Sequence, residues 1–198
     1  MRKKVIDWFF TLQSQREILG EKERRLYTYA YGLLLNKIAV YAVIAIIGMI
    51  TGNWIEMVSF LLPFTILRQY AGGIHLKKSI ICICVSSFLV FICGEYLAID
   101  SMMDITFWVI WLIIIGIIFL LSPVDTGNKR LSEVEKEVYG KRARILLVVE
   151  FILGLSFYAI GIVVVAKGIA VAHIILASSL VLGTVKNFFA CKLGKTNI

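Results

Sequence analysis

The stretch RQYAGGIHLKKSIICIC, residues 68–84, gathers the side chains best suited to covalent chemistry: His75, Cys82 and Cys84, with Arg68, Lys77 and Lys78 around them. A thiolate is an effective nucleophile toward a peptide carbonyl. An imidazole within hydrogen-bonding reach activates it and later protonates the departing amine. His75 and Cys82 are the only histidine–cysteine pair close in sequence, seven residues apart. On a continuous helix that spacing is two turns, which puts both on one face with Cα atoms about 10.5 Å apart. Helical side chains tilt toward the N-terminus, which closes part of the gap and not all of it. Gly72 and Gly73 permit backbone geometry closed to other residues, so His75 can sit on a bent entry segment and fold back. Arg68, Lys77 and Lys78 would favour both the thiolate and the oxyanion formed on attack.

The same residues have plainer readings. A cysteine in an apolar helix is commonly a small core residue, and a lone histidine near a membrane interface is commonly structural. Cys82-x-Cys84 hints at metal, but no second ligand pair accompanies it, and His75 and His173 are the only histidines. A zinc set is therefore not expected, and no cofactor is implied. The motifs HExxH and GxSxG are absent, which argues against the corresponding metallopeptidase and serine-hydrolase sites.

The elements that must position this segment are set by composition. Of 198 residues 60% are hydrophobic, and the mean hydropathy is +0.88. Soluble domains lie nearer 45–50% apolar, so the expected class is all-α: a polytopic integral membrane bundle with an amphipathic N-terminal helix. A spanning helix needs roughly 20 mostly apolar residues. Spans are expected near 33–51, 54–67, 79–98, 105–121, 145–166 and 168–188, the second of them short and carrying Glu56 and Pro63. No period-two alternation suggests a barrel. Residues 3–14, KKVIDWFFTLQS, mix Val5, Ile6, Trp8, Phe9, Phe10 and Leu12 with Lys3, Lys4 and Asp7. This fits a helix lying on a membrane surface, and equally a first turn packed on the bundle. One domain over 1–198 is expected, with 1–28 interfacial and 29–190 forming six transmembrane helices. No removable signal peptide is read behind the opening MRKK.

Charge gives orientation. The N-terminal segment carries seven Lys and Arg, the loop after span two carries three, the loop after span four six and the C-terminal end three, which is 19 of the 21 in the chain. Lys37 lies within span one, and Lys167 alone lies on the opposite side. The positive-inside rule then places both termini and the two basic loops in the cytoplasm. A net charge of +8 thus reflects basic loops beside anionic lipid, and no nucleic acid is expected as a partner. Cys82, Cys84, Cys93 and Cys191 lie in apolar runs or near that basic face and are expected as free thiols.

Other polar residues leave alternatives open. Asp125 could orient His75 as a third member, or be a turn residue after Pro123. Lys129 and Arg130 could bind an acidic peptide tail, or only set topology. Glu150 lies inside span five, where a carboxylate is costly, and Lys37 is its expected partner. His173 lies in the outer half of span six, away from the basic face, and is read as structural.

Arg68-x-Tyr70-x-Gly72-Gly73-x-His75, with Cys82 seven residues beyond, resembles the signature of the accessory gene regulator B (AgrB) family. Pro123-x-Asp125-x-x-Asn128-Lys129 is similar to that family's loop after its fourth span. The resemblance covers nearly the whole chain and implies a membrane cysteine endopeptidase of Gram-positive bacteria. Such enzymes cut the C-terminal part from an AgrD propeptide and close the remainder into a thiolactone or lactone for quorum sensing. It implies His75 and Cys82 as the catalytic pair, with Arg68 and Gly73 in support. Implied partners are an AgrD-like propeptide and membrane lipid, and a homodimer is compatible with it. Two rivals remain at this stage. One is a small peptide transporter, suggested by Glu56, Glu150 and Lys37 but lacking an internal repeat. The other is a membrane scaffold without chemistry, which leaves the RxYxGGxH…C segment unexplained.

Overall fold

The computed structural model describes residues 8, 11, 24–73, 79–99, 103–125 and 132–192. Among the described residues it is an all-α bundle with six helices: α1 Arg24–Thr51, α2 Trp54–Ala71, α3 Ser79–Ala98, α4 Ile105–Leu121, α5 Glu133–Ala159 and α6 Val163–Lys192. Of the N-terminal segment only Trp8 and Thr11 are described, both helical, so the expected amphipathic helix lies otherwise outside the described residues.

Local chemistry sets the ends of these helices. Gly52, at φ +77°, turns the chain between α1 and α2, a conformation open to glycine at little cost. Asp104 caps α4 by accepting from the Phe107 amide at 3.0 Å. Ser132 opens α5 with a capping box: its hydroxyl accepts from the Glu135 amide, while the Glu135 carboxylate accepts from the Ser132 amide at 2.9 Å. Gly161, at φ +89°, separates α5 from α6. The spans expected at 145–166 and 168–188 are corrected here, because α5 ends at Ala159 and α6 begins at Val163. The run Ile160–Gly161–Ile162–Val163 is apolar straight through the turn, so hydropathy carries no mark of it.

Helix α6 is the centre. It packs on α2, α3, α4 and α5, while α1 lies outside against α3 and α2. Every residue from 166 to 173 is buried, so all sides of α6 face protein at that level. Ala166, Gly168, Ala170 and Ala172 make this possible, since small side chains let neighbouring backbones approach. A Cβ on Gly168 would collide with the Ser59 side chain of α2. Met57, Phe60 and Leu67 of α2 fill the main core with Leu147 of α5 and Leu176 and Leu180 of α6.

The outside of the bundle is apolar. Leu120 is 80% exposed and Ile50 79%, among many large hydrophobics on the surface. Burial of apolar area drives folding in water, and a surface this apolar has no counterpart on an ordinary soluble monomer. Among the described residues two stretches, Ala30–Thr51 and Val163–Phe189, are long and apolar enough to cross a membrane, and Ile83–Ala98 and Ile105–Leu121 are shorter apolar helices.

Inside, one polar chain links three helices. The Trp111 indole of α4 donates to His173 Nδ1 of α6 at 3.0 Å. His173 Nε2 lies 2.9 Å from Glu150 Oε2 of α5. Because Nδ1 accepts from the indole, the imidazole proton sits on Nε2, and the ring donates it to the carboxylate. Glu150 is therefore not paired with Lys37 as the sequence suggested. Lys37 is exposed, whereas Glu150 and His173 are both buried.

Unmaking this chain should cost stability according to how many buried groups it orphans. His173→Ala strands both the indole N–H and the carboxylate, at about 1–3 kcal/mol for each buried group left unsatisfied. Glu150→Gln keeps an acceptor for Nε2–H and should cost less. Unfolding midpoints in detergent are expected to rank wild type, Glu150→Gln, then His173→Ala. Equal midpoints for the two variants would contradict the bonding described.

Candidate functional site

The segment singled out by its chemistry begins at the C-terminal end of α2. The Gly72 amide donates to the Arg68 carbonyl at 3.0 Å, closing the last turn. Gly72 then takes φ +84° and Gly73 φ +121°. Both values lie where a side chain is strained, so the diglycine ends the helix and redirects the chain. Helix α2 stops at Ala71, so it does not run on through the diglycine toward the segment that holds His75.

A second reason for glycine here is proximity. Residues 122–125, which follow α4, run alongside the diglycine, and Gly72 and Val124 form a parallel backbone bridge. The Val124 amide donates to the Ala71 carbonyl at 2.9 Å. A Cβ on Gly72 would strike the Val124 carbonyl oxygen. The two motifs noted in the sequence, Arg68–His75 and Pro123–Lys129, are thus joined backbone to backbone.

Helix α6 forms the floor of this junction. A Cβ on Gly73 would come within 2.6 Å of Ser179 Oγ. Gly183, one turn on, is close enough that its own Cβ would lie 3.2 Å from Val124 Cγ1 and 3.7 Å from the Gly73 Cα. Asn187, one turn further, donates from Nδ2 to the Asp125 carbonyl at 2.9 Å. Sequence reasoning missed all three. Their signal is a four-residue spacing, Ser179-x-x-x-Gly183-x-x-x-Asn187, which aligns small and polar groups on one face of an apolar helix.

Helix α5 closes the flank. The Tyr139 ring lies 6.0 Å from that of Tyr70, and the Arg142 guanidinium sits over Tyr70 at 5.9 Å. Arg68 lies over its neighbour Phe64 at 5.3 Å. A groove of about 500 Å³ beside Pro123 is lined by Glu133, Lys136, Glu137, Gly140, Lys141 and Arg144. Its charges are largely paired: Lys136 with Glu133 at 3.0 Å, and Lys141 with Glu137 at 2.7 Å. The hydrogen bond that Lys136 donates to the Glu133 carboxylate, followed by the negative charges of Glu133 and Asp125, pushes the Lys136 ammonium above its ordinary range. Lys141 holds Glu137 below the usual carboxylate range in the same way.

Of the residues expected to act, Arg68, Gly73 and Asp125 are brought to one end of the bundle. The Asp125 carboxylate lies 4.0 Å from Lys136 Nζ. Cys82 falls in the first turn of α3, and its side chain lies outside the described residues. His75, Lys129 and Arg130 also lie outside them. Cys84 and Cys93 are free thiols, as expected. Among the described residues no cluster of three or more His, Cys, Asp or Glu could hold a metal ion.

The model of the family described as accessory gene regulator B matches residues 5–190, both motifs included. The chain belongs to that family. It is 28% identical over 155 residues to a protein of Clostridium perfringens strain SM101 named as AgrB-like, covering 72% of each chain. It is 29% identical over 147 residues to a second protein so named from C. perfringens strain 13, covering 69% of this chain and 68% of that one. No solved structure matches.

The junction makes a contrast between two glycines. Gly72→Ala meets both a positive φ and a backbone oxygen, so it should destabilise by about 1–3 kcal/mol and speed hydrogen exchange at the Val124 amide. Gly116, mid-helix in α4 with open space around it, should accept alanine with no loss, or gain up to about 1 kcal/mol. Exchange mass spectrometry and detergent unfolding would measure both.

Proposed function

We propose that this AgrB family member is a membrane cysteine endopeptidase that cleaves an AgrD-like propeptide and cyclises the remainder. The observation that carries the reading is the joining of the two motifs at Gly72 and Val124. It gives the segment leading to His75 and Cys82 a fixed point of departure, and it puts Asp125 next to that point.

The Cys82 thiolate attacks the carbonyl of a peptide bond toward the C-terminal side of the propeptide. His75 takes the thiol proton and delivers it to the departing amine, so the C-terminal fragment leaves as a neutral amine. The acyl group stays on Cys82 as a thioester. A Cys thiol or Ser hydroxyl within the substrate then attacks that thioester, its proton passing back to the Cys82 sulfur. The ring closes and the enzyme is regenerated. Thioester exchange is close to neutral in energy, so cyclisation competes with hydrolysis only where water is kept away. A site between α2 and α3, recessed in protein at the membrane face, suits that need.

In this reading the bundle crosses the membrane six times as a single domain, with both termini and the site on the cytoplasmic side. Arg68 and Gly73 support the site and Asp125 orients His75. Lys129 and Arg130 meet the acidic tail of the substrate.

Cys82→Ala is expected to abolish cleavage without loss of insertion, and Cys82→Ser to be nearly as inactive, because a serine hydroxyl is far harder to deprotonate. His75→Ala should also lose cleavage and slow alkylation of Cys82 near neutral pH. Cys84→Ala, Cys93→Ala and Cys191→Ala should each stay active. Full activity of Cys82→Ala in reconstituted vesicles would sink the peptidase reading.

Docking has its own check. Neutralising Lys129 and Arg130 together should raise KM for a peptide with an acidic tail, more so at low salt, with kcat little changed. An unchanged KM in a correctly inserted variant would reduce the two residues to topology signals.

A further inference from the structure

Three residues on one face of α6 touch the motif junction, and each touches it differently. Ser179 packs beneath Gly73, and Gly183 leaves room for Val124 and Gly73 together. Asn187 makes a directed bond, from its amide to the Asp125 carbonyl. Its neighbours Val185, Lys186, Phe188 and Phe189 are exposed, whereas Asn187 is half-buried with its carboxamide turned to a backbone group 62 residues away in sequence. The short segment Val124–Asp125 is thereby held from two sides: the Val124 amide by Ala71, at 2.9 Å, and the next carbonyl by Asn187, also at 2.9 Å.

We infer that Asn187 is a positioning residue for the proposed peptidase site, fixing the Val124 segment against Gly72 and so setting the direction in which the chain leaves Gly73 toward His75. The inference rests on the cysteine-peptidase reading. Its physical basis is leverage. Helix α6 is the packed centre of the bundle, and glycine is the residue with the fewest backbone restrictions. A rigid element therefore holds a pliable one, and the Asn187 amide gives that hold a direction. Placement errors near 1 Å at a reacting group cost about a hundredfold in rate, so even partial release of this clamp should be visible in the chemistry.

The test uses the full chain in detergent, with Cys84, Cys93 and Cys191 changed to alanine so that Cys82 is the only thiol. The probe is iodoacetamide, and the readout is the rate of Cys82 alkylation against pH. Asn187→Asp has nearly the same shape but replaces the donor with an acceptor facing a carbonyl. It is expected to slow alkylation near pH 7 about tenfold or more, and to move the pH profile upward, because the imidazole is displaced and the thiolate less populated. Asn187→Gln keeps an amide donor and should lie closer to wild type. A role in stability alone would lower the unfolding midpoint and leave the profile of the folded fraction in place.

An Asn187→Asp profile that coincides with wild type overturns the positioning role. So does an Asn187→Gln profile as impaired as that of Asn187→Asp. Should Asn187→Asp not fold, Gly183→Ala serves instead. The added methyl presses on Val124 and should slow alkylation, and Val124→Ala in the same chain should restore it; absence of that rescue counts against the proposal. The underlying reading has a separate control. If His75→Ala leaves the Cys82 profile unchanged, the histidine–cysteine pair itself fails, whatever Asn187 does.

Discussion

Close approach to α6 is the constraint on which the rest of this bundle depends. Lipid-facing helices gain little from hydrophobic burial against one another, because hydrocarbon already surrounds them. What holds them is shape fit and internal hydrogen bonding. The buried run from Ala166 to His173 supplies both. Its small residues admit α2 to near backbone contact, and its histidine ties α5 and α4 through Glu150 and Trp111. Two turns further on, the same helix floors the junction of the two motifs. A helix with bulky side chains at these positions would push α2 outward and carry Gly72 away from Val124.

Much of the fold was legible because apolar length is a direct demand of the bilayer. The expected spans 79–98 and 105–121 coincide with α3 and α4, where Asp100 and Asp104 on one side and Ser122–Pro123 on the other break the apolar run. Hydropathy failed where the turn itself is apolar, at Ile160–Gly161–Ile162. It also set the start of α1 and α5 too late. A helix continues past the apolar region for as long as backbone bonds and caps allow, and the Ser132–Glu135 box lies well outside any membrane-like composition. The partner of Glu150 was misread for a different reason. Sequence distance favours no particular pairing, and the choice between Lys37 and His173 is made by which helices pack together.

The site divides in the same manner. Diglycine and Pro-x-Asp were visible as motifs, and the need for a bend before Cys82 followed from helix geometry. That the motifs meet was not visible, because a single backbone bridge carries no side-chain signature. The contribution of α6 was missed since Ser179, Gly183 and Asn187 look unremarkable one at a time. Only their common face, once α6 is known to pass beneath Gly73, gives them a joint meaning.

The bridge between Gly72 and Val124 also constrains how this chain can diverge. Main-chain atoms make the bridge while the Val124 side chain is buried against Gly183, so a change in the length of either segment shifts the register and breaks both contacts. Insertions within either segment should therefore not be tolerated. A chimera built by exchanging one of these segments between relatives should fold only when the other segment travels with it.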